Sequence, residues 1–555
     1  VPSDAKIESK KIVVALLLAL PALLIYACDL FGHQGDLSAA VAVRLTGGQL
    51  MHEGLTPYVD FWDWSQPINY WLCSWPYAIN SALEGIPYYV PPELSFKVAF
   101  FVLVLASIGL TLTVLEFGAK KLPDDHPQQS HAANLFVPLL TGFVAALFCT
   151  RFEAGVLQQV FMLSLMPWLT MRWLRYLGVS FAGKVGNFLA LAGGLLLGLG
   201  IILDIPHLPV VVGLEIFFVL AYGGKYKFDL SIFAGLAVGL IDFIYLHGLP
   251  RAMHQAFWQW TMPIRARQFT RFDASISAYV ASPDRRDALY MMIFAVVMAF
   301  LLQARQDFLR PLIAVTALGL ALYVGEGDGL TSSLVVALWG TSFLLSLSIW
   351  QLLQSLSWAR LKPQILSRID IKAMALPVVT MAALALAFTV SLNKDREAAR
   401  LGPMLFKDQA KVDIFDVLNN YSRTGESVII LCDYPMPIYP LLFDLDRRPG
   451  SYLLWSRPLR VLNALRHFSA MTPALSDFEK FVYDGLENSI SRGQSPVILI
   501  AKNSIAGIVE KSALKKALDS AYEVSGECYY CSVNKDPAEY CGFEQGFDIY
   551  RRRAR

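Results

Sequence analysis

The sequence predicts a polytopic α-helical membrane protein with about eleven spans and a C-terminal α/β domain outside the cytoplasm. Three observations predict it. Of 555 residues, 55% are hydrophobic and only 17% charged, a balance far from that of a soluble domain. Apolar runs long enough for a bilayer recur through residues 1–391. From residue 392 onward the pattern changes to short apolar runs alternating with amphipathic stretches, as in strands and helices of an α/β domain. The net charge of +2 offers no basic surface for nucleic acid, and the seven cysteines lack zinc-type spacing.

In chain order, the spans fall at about 12–30, 94–117, 133–150, 156–172, 187–204, 209–223, 230–247, 287–304, 311–325, 330–350 and 373–391. The first follows Lys10 and Lys11 and is longer than a signal-peptide core, so it reads as a membrane helix. Loop charge orients the set, because Lys and Arg accumulate on the cytoplasmic side. With the N-terminus inside, every inner loop is basic: Lys120/Lys121, Arg172/Arg175/Lys184, Lys225/Lys227, Arg305/Arg310 and Arg360/Lys362/Arg368/Lys372. Residues 31–93, 248–286 and the tail 392–555 then lie outside. The loop 248–286 breaks the rule with Arg251, Arg265, Arg267, Arg271, Arg285 and Arg286. An arginine fork suits a phosphate, either a ligand's or a lipid headgroup's.

In the tail, "SVIILC" (427–432), "SPVILI" (495–500) and "YEVSGECYY" (522–530) read as strands, and "SDFEKFVYDGLENSISRG" and "KSALKKALDSA" as helices. Cys432, Cys528, Cys531 and Cys541 sit where a disulfide is permitted.

The external loop carries Asp36 six residues past the first span, then Gly54-Leu55-Thr56-Pro57-Tyr58-Val59-Asp60 and Ser65-Gln66-Pro67-Ile68-Asn69-Tyr70-Trp71. This arrangement resembles the polytopic GT-C glycosyltransferases, which include protein O-mannosyltransferases and lipid A aminoarabinose transferases. "RFEAGVLQQVFML" (151–163) and "GEGDGLTSSLV" (325–335) are similar to further short motifs of that family. Two positions depart from it: the paired acid is Asp36-Leu37, and the lysine before the prolines is Gln66. The resemblance implies transfer, with inversion, of a sugar from a polyprenyl-phosphate-linked donor to a glycan, lipid or protein acceptor on the extracytoplasmic face. It implies a bacterial inner or plasma membrane setting, membrane lipids as the surroundings, and no cofactor.

That chemistry needs a general base for the acceptor hydroxyl and positive charge for the departing phosphate. Asp36 is the candidate base, although an Asp there also suits the N-cap of a helix beginning at Leu37. Glu153, on the same side, either assists Asp36 or pairs with Arg151. Arg265, Arg267 and Arg271 are the candidate phosphate ligands. Tyr58, Asp60 and Asp63, interleaved with Phe61, Trp62 and Trp64, either hold sugar or form an interfacial aromatic belt. His33, His52 and His254 form no metal-ligand set; Glu326 and Asp328 leave a divalent ion open beside a plain glycine turn.

Two other classes fit the composition: a transporter or flippase for a lipid-linked saccharide, and a non-catalytic subunit of an envelope complex. Against transport, ionisable residues gather at one face, and only Asp204, Glu215 and Asp242 lie in or near spans. Cysteine-accessibility labelling from the outer face is expected to reach residues 392–555 and to leave the 172–186 loop unlabelled. The reverse pattern inverts the topology and puts the candidate acids on the wrong side.

Overall fold

The computed structural model describes residues 20–32, 37–83, 89–122, 135–222, 228–267, 289–290, 292–297, 308–326, 334–355, 412–433, 438–467, 471–502, 505–532 and 543–553. The chain forms two compact units. One comprises 1–33, 97–244 and 273–393; the other comprises 34–96, 245–272 and 394–555.

The first unit is helical. Among the described residues four helices, each belonging to it for most of its length, are long and apolar enough to cross a membrane: Pro92–Lys121, Gly183–Leu203, Ile205–Tyr222 and Leu230–His247. Leu20–Gly32, Phe136–Cys149, Leu309–Gly325 and Val335–Gln351 are shorter apolar helices at other predicted spans. The predicted span at 373–391, and much of that at 287–304, lie outside the described residues. The 156–172 segment is also a helix, Leu157–Tyr176, but it is buried from Phe161 through Leu174. It is an inner helix, and with protein on all sides it can carry Ser164, Thr170 and Arg172. Small residues bring helices together: a Cβ on Gly194 would fall 2.1 Å from the Ser231 carbonyl oxygen.

Arg172 corrects the sequence reading, which counted it as a loop charge. It lies inside the Leu157–Tyr176 helix and is fully buried. Its Nε and Nη2 donate to the two oxygens of Glu215 at 2.7 Å each, and Nη1 donates to Asp229 Oδ2 at 3.0 Å. Arg175 approaches the same Asp229 oxygen at 3.5 Å. The other oxygen, Oδ1, accepts from the Ser231 hydroxyl and from its backbone N–H at 2.9 Å. A buried guanidinium is tolerable only when its fork is filled this way.

The second unit contains a five-stranded sheet in the order β2-β1-β3-β5-β4. The strands are β1 (Ser427–Leu431), β2 (Arg448–Pro449), β3 (Val497–Ala501), β4 (Tyr522–Ser532) and β5 (Phe543–Arg552). The first three are parallel, with Ile429 opposite Ile498 in register, while β5 runs antiparallel to both β3 and β4. Short all-apolar β3 is buried throughout, as a central strand of a covered sheet must be. The edge strand β2 tolerates Pro449 because, among the described residues, no strand lies beyond it to need the missing N–H. The Pro473–Ser491 helix starts on a Thr472 cap with proline in its first turn. Cys432 and Cys528 are both buried, and no disulfide joins them; Cys541 lies outside the described residues.

Removing one partner of the buried ion cluster should be costly. Glu215→Ala strands the Arg172 guanidinium and is expected to cost about 3–5 kcal/mol. Thermal unfolding in detergent measures it, and a Tm equal to wild type would show the pair contributes nothing.

Candidate functional site

The second unit joins the external-loop residues to the 245–272 segment and to the α/β sheet. Helix Ala39–His52 opens the loop. Its N-cap is Ser38, whose hydroxyl accepts from Val41 N at 3.4 Å. This corrects the capping alternative for Asp36: the helix begins two residues later than Leu37, and a serine caps it. Helix Pro67–Ala82 returns beside it, so closely that a Cβ on Gly48 would lie 2.3 Å from the Cys73 carbonyl oxygen.

Between the two helices, Gly54 to Gln66 makes a tight turn. Gly54 has φ +92°, and Tyr58 adopts the left-handed region at φ +64°, a strained conformation for a bulky residue. Local bonds hold it there. Tyr58 N donates to Phe61 O at 2.6 Å, and Thr56 N donates to Asp60 Oδ2 at 2.7 Å. The Tyr58 hydroxyl donates to Ser65 O, and Tyr452 OH donates to Tyr58 O at 2.7 Å. Asp60 is exposed on the turn, its carboxylate occupied in part by that Asx-type bond.

Asp63 is 3% exposed and surrounded by donors. Oδ2 accepts from the Ser65 hydroxyl at 2.6 Å and from Tyr70 OH at 3.2 Å; Oδ1 accepts from Trp455 Nε1 at 2.8 Å. Burial first, and the Asp63 charge second, push the Tyr58 and Tyr70 phenols well above their usual range, so both remain protonated donors. Asp63 and Tyr58 thus do structural work. The aromatic-belt alternative fails for Phe61 and Trp62, which are buried in the protein. Trp62 packs on Phe478, its Nε1 donates to Thr261 at 3.1 Å, and its backbone pairs with Tyr452 and Leu454.

Thr261 belongs to a π-helical turn, Phe257–Thr261, between the short helices Arg251–Ala256 and Met262–Arg267. Such a turn rotates the following residues relative to a regular helix. Phe257 packs on the Tyr58 ring at 5.5 Å. Arg265, half-buried, lies close enough that its charge opposes the upward shift of the Tyr58 phenol. Arg267 ends the same helix; Arg271 and Asp36 lie outside the described residues.

Glu153 belongs to the first unit, in the short 3-10 helix Arg151–Glu153. Arg151 approaches Asp29 at 3.9 Å. The nearby Leu157–Tyr176 helix carries Phe161, whose ring packs at 5.1 Å on His207, and His207 Nδ1 contacts Asp204 Oδ2 at 2.9 Å. Sequence reasoning noted Asp204 and missed His207, because a lone histidine in an apolar stretch carries no spacing signal. Trp455, Tyr452 and Thr261 were missed for a plainer reason: they meet the turn across 392, 394 and 199 residues respectively.

A groove of about 930 Å³ opens in the α/β domain beside Arg466, Lys480, Tyr483, Lys502 and Lys511. Arg466 is bonded to Glu479 at 2.5 Å, and Lys502 to Glu527 and, at 3.6 Å, Asp548. Two of its cations are therefore committed to carboxylates, which argues against a phosphate site there. Among the described residues no group of three or more His, Cys, Asp or Glu could hold a metal ion. No protein-family model matches the chain, and no curated protein matches it.

Asp63→Asn is expected to destabilise the second unit by about 1–3 kcal/mol, because every partner is a donor and an amide presents one NH2 group to them in either orientation. Thermal unfolding checks it; an unchanged Tm would mean the turn does not depend on the carboxylate.

Proposed function

We propose that the protein is an integral-membrane glycosyltransferase that moves a sugar from a polyprenyl-phosphate donor to an acceptor hydroxyl, with inversion, at the extracytoplasmic face. The proposed topology has eleven spans with the N-terminus cytoplasmic, in a bacterial inner or plasma membrane. One observation carries the reading most: the turn bearing Tyr58 and the arginine-bearing segment at 265 pack into a single unit although some two hundred residues of chain separate them. A loop with excess positive charge on the outer side has a physical reason if it serves a site assembled with the first external loop.

In the proposed reaction Asp36 takes the proton from the acceptor hydroxyl as its oxygen attacks the anomeric carbon. The bond from that carbon to the phosphate oxygen breaks, and the electron pair leaves with the polyprenyl phosphate. Arg265, with Arg267 and Arg271 on the same segment, supplies charge to the developing phosphate dianion. A guanidinium can present two N–H groups to two phosphate oxygens, which a lysine cannot. Glu153 is proposed to assist the base. Of the three loop residues expected to hold sugar, Asp60 alone retains an exposed carboxylate, so substrate contact at the turn is assigned to it.

The non-catalytic alternative draws its support from the same turn, where Asp63 and Tyr58 serve the fold. Asp36 separates the two readings. Because Ser38 caps the helix, Asp36→Ala is expected to leave the Tm unchanged while lowering sugar transfer by about 10²–10⁴-fold. Ser38→Ala should do the opposite, costing about 1 kcal/mol of stability. Transfer from a polyprenyl-phosphate sugar in detergent measures the first, and full transfer by Asp36→Ala would remove the general base from the mechanism.

A further inference from the structure

The sheet order β2-β1-β3 has a consequence for ligand binding. The chain leaves β1 to form β2 on one side and later returns to form β3 on the other, which makes a topological switch point between the carboxyl ends of β1 and β3. Open parallel sheets bind ligands at such points. The side chains there include several buried polar groups with no hydrogen-bond partner among the described residues.

Asp433 is two residues past β1 and 2% exposed. One carboxylate oxygen pairs with Arg460 at 2.5 Å, and the other, Oδ1, has no partner. Ser456 is held beside it by a 2.8 Å bond from its N–H to the Cys432 carbonyl, yet its buried hydroxyl is unpartnered. Arg457 follows, with its guanidinium over the rings of Trp64 and Trp455 at 5.4 and 5.9 Å and its Nη1 buried without a partner. Trp455 leads to Asp63, whose charge also reaches the Tyr439 phenol. That hydroxyl is buried and unpartnered. Gln66, three residues from Asp63, is completely buried, and neither its amide oxygen nor its nitrogen has a partner.

A buried polar group left unpaired is costly, and several close together are more costly still. Such groups are normally satisfied by water or a ligand. Their chemistry selects among ligands. Gln66, Tyr439 and Ser456 both donate and accept, Arg457 donates, and Asp433 accepts. A phosphate is chiefly an acceptor and carries negative charge, which the carboxylate of Asp433 opposes. A sugar hydroxyl does both, and indole faces such as Trp64 and Trp455 suit the C–H face of a pyranose.

We propose that the carboxyl end of β1, with Gln66, Asp433, Tyr439, Ser456 and Arg457, is a binding site for an uncharged hexose-sized sugar. Binding does not depend on the transferase reading; only the assignment of this sugar as a substrate or acceptor portion rests on it.

The test uses the full-length protein in detergent, followed by intrinsic-fluorescence melting with methyl α- and β-hexopyranosides of the gluco, manno and galacto series and with inorganic phosphate. At least one glycoside is expected to raise the Tm in a concentration-dependent way. Gln66→Leu and Tyr439→Phe remove unpartnered polar atoms, so each should keep or raise the ligand-free Tm while the glycoside shift disappears. The glycoside shift should persist in Asp36→Ala, which separates failure of binding from failure of transfer. The site is overturned if no glycoside shifts the Tm, or if the shift survives in both pocket variants. It is equally overturned if phosphate reproduces the shift and loses it in the same variants.

Discussion

The carboxylate of Asp63 is the interaction on which the second unit depends. It sits where three segments of the unit have to agree: the turn after Gly54, the start of the Pro67–Ala82 helix and the strand-like stretch around Trp455. Its donors come from different parts of the chain, so no single segment can satisfy it alone. A buried acceptor of this kind is costly unless all its partners arrive, and that cost makes the arrangement specific. The left-handed Tyr58 is held between its bond to Ser65 and the Tyr452 hydroxyl, so strain in the turn is offset by contacts made far away in sequence.

The first unit, with its long apolar helices, handles charge by a different rule. At one end of the Leu157–Tyr176 helix, Arg172 is bound to Glu215 and Asp229, and these contacts tie that helix to the Ile205–Tyr222 helix and to the start of Leu230–His247. At the other end stand the Arg151–Glu153 turn and, beside Phe161, the Asp204–His207 contact. The two ends share one helix but differ in how their charges are used. Arg172 has its fork filled by carboxylates and is a fastener. The acids at the opposite end lie in or beside short connecting turns, Glu153 half-buried and Asp204 buried.

Sequence reasoning recovered the parts of the fold encoded by local pattern. The strands at 427–431, 497–501 and 522–532 follow from apolar β-branched runs, and the Pro473–Ser491 and Ala513–Ala521 helices from amphipathic spacing. It missed β5, where Glu544, Gln545, Gly546 and Asp548 dilute the apolar alternation, even though Phe547 and Ile549 face the core. It missed β2 because two residues carry no period. It left a cap open at Asp36 beside the role of base because Asp and Ser are near-equal cap formers, and only backbone geometry distinguishes Ser38. At the candidate site it found Tyr58, Asp63 and Arg265 by residue type, but not what Tyr58 and Asp63 do. Whether a carboxylate is a ligand or a tie depends on its partners, and the Trp455 partner is 392 residues away.

That distance bears on what the tail is. A domain joined only by a linker would keep its own core and contribute substrate contacts by chance of position. Here the backbone of Trp62 bonds to Tyr452 and Leu454 on both sides, as in a short parallel bridge, and the Trp62 ring rests on Phe478 of the Pro473–Ser491 helix. The external loop thereby becomes a layer of the α/β unit. Gln66, at the end of that turn and three residues beyond Asp63, is completely buried in the same layer. A site built from both segments inherits their combined rigidity, which a sugar pocket needs because its selectivity rests on hydroxyls differing only in direction. If the α/β unit reads the sugar while Asp36 and the arginine segment act on its bonds, recognition and chemistry are carried by one folded body whose parts are interleaved along the chain.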